Sequence, residues 1–254
     1  STFIEDMTAL GHAIAQHSGD QSTEGLTGAT RVAELVRQRE AIEAHGVEIN
    51  YLSGGCSADD WVEAAIAAGF SAVTGNVEYC LKSLDAASLP QGMDWIHKCN
   101  NQSICHDPLY VGTARVLHPW TTSSSSSWLV DDPNGDLVII AGAEADGFAA
   151  MSKGDQADVA TSLEQWTTMI DAFVAATVAG QVNVVNMVLS VGPVPDWELL
   201  ESMFAQAQSR QDDGLLTWAN LGEVVARALA EASLQPADPA VVYTDTTPDL
   251  MNAD

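Results

Sequence analysis

The chain has 254 residues, 46% of them hydrophobic, and its 35 acidic against 9 basic side chains give a formal charge of -26. That length and apolar share suffice for one large α/β domain or two small ones. The charge repels nucleic acid and anionic membrane surfaces, so neither is expected as a partner. No apolar run reaches the ~18 residues of a membrane span, and no signal peptide is evident. The acids are spread along the chain, a pattern suited to high salt, where counter-ions screen self-repulsion.

In chain order, the first informative stretch is Gly11-His12-Ala13-Ile14-Ala15-Gln16-His17-Ser18-Gly19-Asp20. It reads as a helix end stopped by glycine, a short strand and a polar loop. His17, Ser18 and Asp20 then fall just past the C-terminal end of that strand. In a parallel α/β sheet this edge gathers the chemistry, because its loops vary while the sheet stays fixed. A neutral imidazole there is a metal ligand or a general base. His12 lies before the strand and is expected to pack or to hydrogen-bond.

An amphipathic helix is predicted over 29–45, with Val32, Leu35, Val36 and Ile42 on one face and Gly46 as its stop. A strand over 47–52 ends at Ser53-Gly54-Gly55-Cys56. Ser57 caps the next helix, with Asp59 and Asp60 in its first turn. A strand over 70–74 leads to Glu78 and Tyr79. Residues 80–112 are irregular and read as a long loop insertion. The four cysteines include no Cys-x-x-Cys pair, so a zinc ribbon is not expected. One disulfide is expected among Cys80, Cys99 and Cys105, leaving Cys56 free, which fits a secreted or periplasmic protein.

A strand over 114–117 precedes His118-Pro119-Trp120 and a run of five serines, 123–127, before Trp128. Residues 131–136 carry a turn signal. A buried strand over 137–141 exits into Glu144 and Asp146. Thr161 and Glu164 read as a capping box for a long helix. A strand over 182–189 ends at Ser190. Asp196 caps a further helix, 215–218 reads as a short strand, and Asn220 with Glu223 caps the last helix. The tail over 233–254 is rich in Pro, Asp and Thr and is expected to be loosely held.

Strand and helix alternate about seven times. This predicts an α/β fold with parallel strands, either a barrel or an open doubly wound sheet, as a single domain over 1–232. The absence of a Gly-x-Gly-x-x-Gly after any strand disfavours nucleotide binding. The strand ends would gather His17, Ser18, Asp20, Cys56, Glu78, Tyr79, His118, Trp120, Glu144, Asp146 and Ser190. Among these, His and acidic groups suit a metal that activates water. Trp120, Trp128 and Tyr79 suit stacking on sugar faces. Glu78 and Glu144 suit the acid and base of a glycosidase, if their carboxyls stand about 5–9 Å apart.

The stretch Gly11-His12-Ala13-Ile14-Ala15-Gln16-His17-Ser18 resembles the second motif of the polysaccharide deacetylase superfamily, Gly-His-Glu-Ile-Gly-Asn-His-Ser/Thr. The spacing over 46–69 and the segments Val188-Leu189-Ser190-Val191-Gly192-Pro193 and Asp213-Gly214-Leu215-Leu216-Thr217-Trp218 are also similar, so the resemblance spans roughly residues 7–231. It implies a distorted parallel (β/α) barrel of about seven strands. It also implies a divalent metal, usually zinc, that removes acetyl groups from a polysaccharide or oligosaccharide by activating water. His17 matches the first metal histidine. The second falls at Gln21, so Asp20 is the nearer ligand candidate. Nothing in residues 1–10 matches the family's paired aspartates, and no arginine stands near Leu52-Ser53-Gly54. The late catalytic histidine falls at Ser190, for which His118 is the substitute. The candidates are thus His118, Asp20 and Glu144 for catalysis, Trp120, Trp128 and Tyr79 for substrate, and His17 with Asp20 for metal. The alternatives are a catalytically silent carbohydrate-binding barrel and the Glu78/Glu144 glycosidase.

Overall fold

The run Leu137-Val138-Ile139-Ile140-Ala141 is mostly β-branched, and both of its faces are buried. Such a run is the mark of a central strand covered on each side. The computed structural model describes residues 3–17, 23, 25–54, 56, 58–76, 80, 84–87, 117–142, 159–186 and 196–232. Five strands form one sheet: β1 (Gln16–His17), β2 (Tyr51–Ser53), β3 (Ala72–Asn76), β4 (Trp120–Thr122) and β5 (Leu137–Gly142). They lie side by side in the order β1-β2-β3-β5-β4. The pairs β1–β2, β2–β3 and β3–β5 are parallel, and β4 runs antiparallel to β5.

The described helices are α1 (Phe3–Ala9), α2 (Gly28–Glu43), α3 (Trp61–Ala67), α4 (Val159–Ala175), α5 (Trp197–Asp212) and α6 (Leu221–Ala232). Strand alternation splits the core in two. Leu52, Val73, Leu137, Ile139 and Ala141 face a large cluster with Leu35 of α2, Trp61 and Val62 of α3, Trp166 of α4 and Met203 of α5. Ala72, Val138 and Ile140 face Val225 and Ala228 of α6, with Tyr51 packed beside them. Each fully buried aliphatic side chain contributes about 1.5–3 kcal/mol.

The α/β class and the mostly parallel sheet agree with the sequence reading. The seven-strand barrel does not appear: the sheet is not closed, and β1 and β4 are its edges among the described residues. Helix α6 covers one face, whereas a barrel fills that space with strand side chains. Beside a short strand at Trp120–Thr122, the strand expected over 114–117 is described only at Leu117, which lies in a turn. Its first three residues lie outside the described ones. Residues 182–186 are irregular, with one bond from the Val184 N–H to the Leu117 carbonyl at 2.7 Å. Residues 215–218 are also irregular. Both stretches are apolar enough for strands but have no described ladder partner, and pairing decides.

The helix stops fall where glycine predicted them, with φ of +84° at Gly46 and +74° at Gly214. Asn220 and Glu223 cap reciprocally, each N–H reaching the other's side chain at 2.9 Å. The Thr161 box is not the start of its helix, which already begins at Val159. Asp60 ties two helices together: it accepts from the Gly28 N–H at 2.6 Å and pairs with buried Arg31 at 3.0 Å. No described helix is long and apolar enough to cross a membrane.

The serine run is a latch. Ser125–Ser127 forms a 3-10 turn, and buried Ser125 accepts from the Val62 N–H at 2.9 Å. The Ser125 hydroxyl and N–H and the Ser124 hydroxyl all donate to the Glu63 carboxylate. Burial pushes the Glu63 carboxyl up, but these hydrogen bonds and its own backbone N–H outweigh that and hold it below its ordinary value of 4.5. A depressed carboxyl stabilises the fold above the ordinary value, and this is lost as pH falls through the folded-state value. Glu63 is exposed, so solvent screens the effect, and Glu63→Gln is expected to cost less than about 1 kcal/mol at neutral pH. It should also flatten the acid limb of the stability curve in urea unfolding across pH.

Candidate functional site

The C-terminal ends of the parallel strands carry a polar row. In register, His17 pairs with Ser53, Ser53 with Thr74, and Thr74 with Ile140. Residues paired in register point to the same face of a sheet. His17, Ser53 and Thr74 therefore share one face, on neighbouring strands about 4.8 Å apart. Asn186 extends the row: its amide donates to the Thr74 hydroxyl at 2.8 Å and to the Ile140 carbonyl at 3.4 Å. His17 is exposed, and Ser53, Thr74 and Asn186 are half-buried. The sequence read each strand end by itself, so Ser53, Thr74 and Asn186 went unnoticed as a set. A hydroxyl residue in the C-terminal half of two consecutive strands was the available signal.

A disulfide braces this rim. Cys56, after β2, is bonded to Cys80, after β3. Cys56 is thus not free, correcting the expectation that Cys80 would pair within the insertion. Their Cα atoms lie 4.8 Å apart, because adjacent parallel strands deliver the two loops side by side. Cys99 and Cys105 lie outside the described residues.

His118 sits just before β4, at the far edge from His17. Four inter-strand spacings, about 19 Å along the sheet, separate them, so they cannot share a metal across this open sheet. The His118 Nδ1 is bonded to the Val182 carbonyl at 2.8 Å, and its Nε2 is buried without a hydrogen-bond partner among the described residues. Its evident role is to hold the 182–186 segment against the sheet. Trp120 and Trp128 are not sugar platforms. Trp120 is 3% exposed and Trp128 0%, and both belong to the core. Tryptophan was read there for its polar edge, but the large apolar ring decided its place. His12 is exposed, so of its two expected roles core packing is not the one it plays.

Ser18, Asp20, Glu78, Tyr79, Glu144, Asp146 and Ser190 lie outside the described residues. Among the described residues no group of three His, Cys, Asp or Glu is arranged to hold a metal. His17 could give one imidazole ligand, but the hydroxyls beside it are poor zinc ligands. The described residues alone do not fit a zinc centre. What they do offer is a bank of neutral donors and acceptors beside one imidazole.

A concavity lies at the opposite edge, where the strands begin, a groove of about 290 Å³ lined by His12, Glu48, Asn50, Tyr51, Asn220 and Gly222, among others. Gly222 gives room to the Tyr51 hydroxyl, which would lie 2.9 Å from an added Cβ. The groove flanks strand beginnings, the edge that serves stability in parallel folds.

The fold and rim define a mixed α/β protein with a mostly parallel sheet and a polar C-terminal edge. No family model matches the chain, and no curated protein or solved structure matches it.

Proposed function

We propose that this chain acts on carbohydrate, as a hydrolase of the polysaccharide deacetylase type that removes acetyl groups from a glycan. The supporting observation is the row His17–Ser53–Thr74, with Asn186, on one face at the C-terminal edge of the sheet. Hydroxyl and carboxamide groups match the donors and acceptors of sugar hydroxyls, and their neutrality suits an uncharged substrate. The imidazole is the one described group there that can bind a metal or move a proton. In this reading the reaction is hydrolysis of an acetyl ester or amide. A divalent metal, zinc for choice, would need Asp20 and further groups to complete its ligands. The reading does not require a closed barrel, since the row already lies on three adjacent strands. The brace between Cys56 and Cys80 supports an oxidising compartment, outside the cytosol.

The incomplete ligand set favours a second reading, a carbohydrate-binding protein without catalysis. Acetate release from acetylated glycans, with and without a chelator, separates the two. The first reading expects metal-dependent acetate release, divalent metal in the purified protein, and loss of both in His17→Ala with the fold retained. Metal affinity should fall at acid pH, because only the neutral ring ligates. Glycan binding without acetate release or bound metal would establish the second reading. Release of reducing sugar would instead point to Glu78 and Glu144.

A further inference from the structure

Helix α5 carries an unusual outer face. Trp197, Phe204, Gln208 and Gln211 follow i, i+7, i+11 and i+14, so they form one stripe along it. Trp197 is 65% exposed and Phe204 48%. At the end of α5 the chain turns back through Gly214, with the Leu215 N–H bonded to the Arg210 carbonyl at 2.8 Å. This lays Trp218, 50% exposed, beside the stripe. Its ring centroid is 6.3 Å from that of Phe204. Its indole N–H donates to Gln208 Oε1 at 3.1 Å and its backbone N–H to Gln211 Oε1 at 3.2 Å. The Gln208 amide in turn donates to Asp212 at 2.9 Å. An exposed tryptophan is thus held in place before any partner arrives, which lowers the ordering cost of binding.

We propose that this stripe docks an amine-bearing polysaccharide, a chain of aminosugars carrying free cationic amines. Charge selects the partner. Residues 196–213 hold five acids, Asp196, Glu198, Glu201, Asp212 and Asp213, against one base, Arg210. Arg210 is engaged by Asp171 at 2.9 and 3.0 Å. Nucleic acid and a second copy of this chain, itself at -26, are repelled. A cationic partner is attracted. Geometry then selects a polymer: Trp197 and Phe204 are seven residues apart, about 10 Å along the helix, so Trp197 and the Phe204–Trp218 pair are separate ring stations. Flat rings stack on sugar faces while the flanking carboxylates meet the amines. This rests on the carbohydrate reading and deepens it, because deacetylation of an N-acetyl sugar creates such amines. The stripe would hold the chain by its already processed units.

The test is titration calorimetry of the whole chain with a glucosamine hexamer, its fully N-acetylated counterpart and oligolysine, at mildly acidic pH and two salt concentrations. The glucosamine hexamer should bind best, and more weakly at high salt. Trp218→Ala should weaken it about tenfold and Trp218→Phe much less. Glu201→Gln should weaken it and reduce its salt dependence. His17→Ala should leave it unchanged, which separates this surface from the rim. The three side chains changed, Trp218, Glu201 and His17, are exposed, and circular dichroism confirms that the variants fold. Equal binding of the acetylated hexamer, oligolysine binding as tightly, or no effect of Trp218→Ala would each overturn the proposal. So would a dimer by light scattering that Trp218→Ala dissolves, since a second copy would then own the face.

Discussion

Trp128→Ala is expected to lower stability by about 4 kcal/mol, as for other fully buried large-to-small changes. The indole is 0% exposed. It meets Trp61 edge-on at 5.7 Å and stacks on Trp120 at 6.3 Å with 18° between the planes. The Trp120 indole N–H also donates to the Trp128 carbonyl at 2.7 Å, so the turn and the two rings form one unit. Removing the central ring leaves a cavity between α3 and β4 that rigid neighbours cannot fill. Trp128→Phe should cost far less. The Trp128 indole N–H is buried without a partner among the described residues, and phenylalanine removes that unmatched donor while keeping an aromatic ring. Denaturant unfolding of both variants checks this through the midpoint at constant slope. Equal losses for the two would show that the ring itself is not what the core needs.

Joint replacement of Cys56 and Cys80 by serine is expected to cost about 3 kcal/mol, from the freedom restored to the unfolded chain. The sequence separation is 24 residues, a loop long enough for the cross-link to matter. In a background where Cys99 and Cys105 are replaced by serine, reduction should reproduce the shift, and it should have no effect once Cys56 and Cys80 are replaced as well. The locus matters beyond stability. The bond joins a residue after β2, which ends at Ser53, to one after β3, which carries Thr74. The glycan binding proposed for the rim should therefore weaken on reduction, whereas that proposed for the α5 stripe should not respond.

The sequence made the central strand legible because Leu137 to Ala141 is apolar throughout and sits between turn signals. Helix ends were legible where the cause is local: glycine at Gly46 and Gly214, the reciprocal cap of Asn220 and Glu223, the Asp196 cap. Strands were misread where pairing, a non-local property, decides. Residues 182–186 and 215–218 have strand composition and no described ladder. Trp120 and Trp128 were misread because an indole suits both a sugar platform and a core, and only the surroundings choose. His17 was found from its motif, but its neighbours in register could be known only once β1, β2 and β3 were aligned. The disulfide was misplaced for the same reason: Cys56 and Cys80 are distant in sequence and adjacent only across parallel strands.

An open sheet has a consequence for how this protein meets copies of itself. Each margin exposes main-chain donors and acceptors that a stray strand can extend, the seed of fibrous aggregation. Here the margins are stubs. One is the two residues Gln16–His17, the other the three residues Trp120–Thr122. Three or fewer residues give too short a template for stable intermolecular pairing, and the Trp120–Thr122 margin is further occupied by the 131–132 segment, where the Asp132 N–H donates to the Thr121 carbonyl at 2.8 Å and Asp131 accepts from the Thr121 N–H at 3.2 Å. Lengthening either stub by engineering would trade this protection for order, and fibril formation at high concentration would report it.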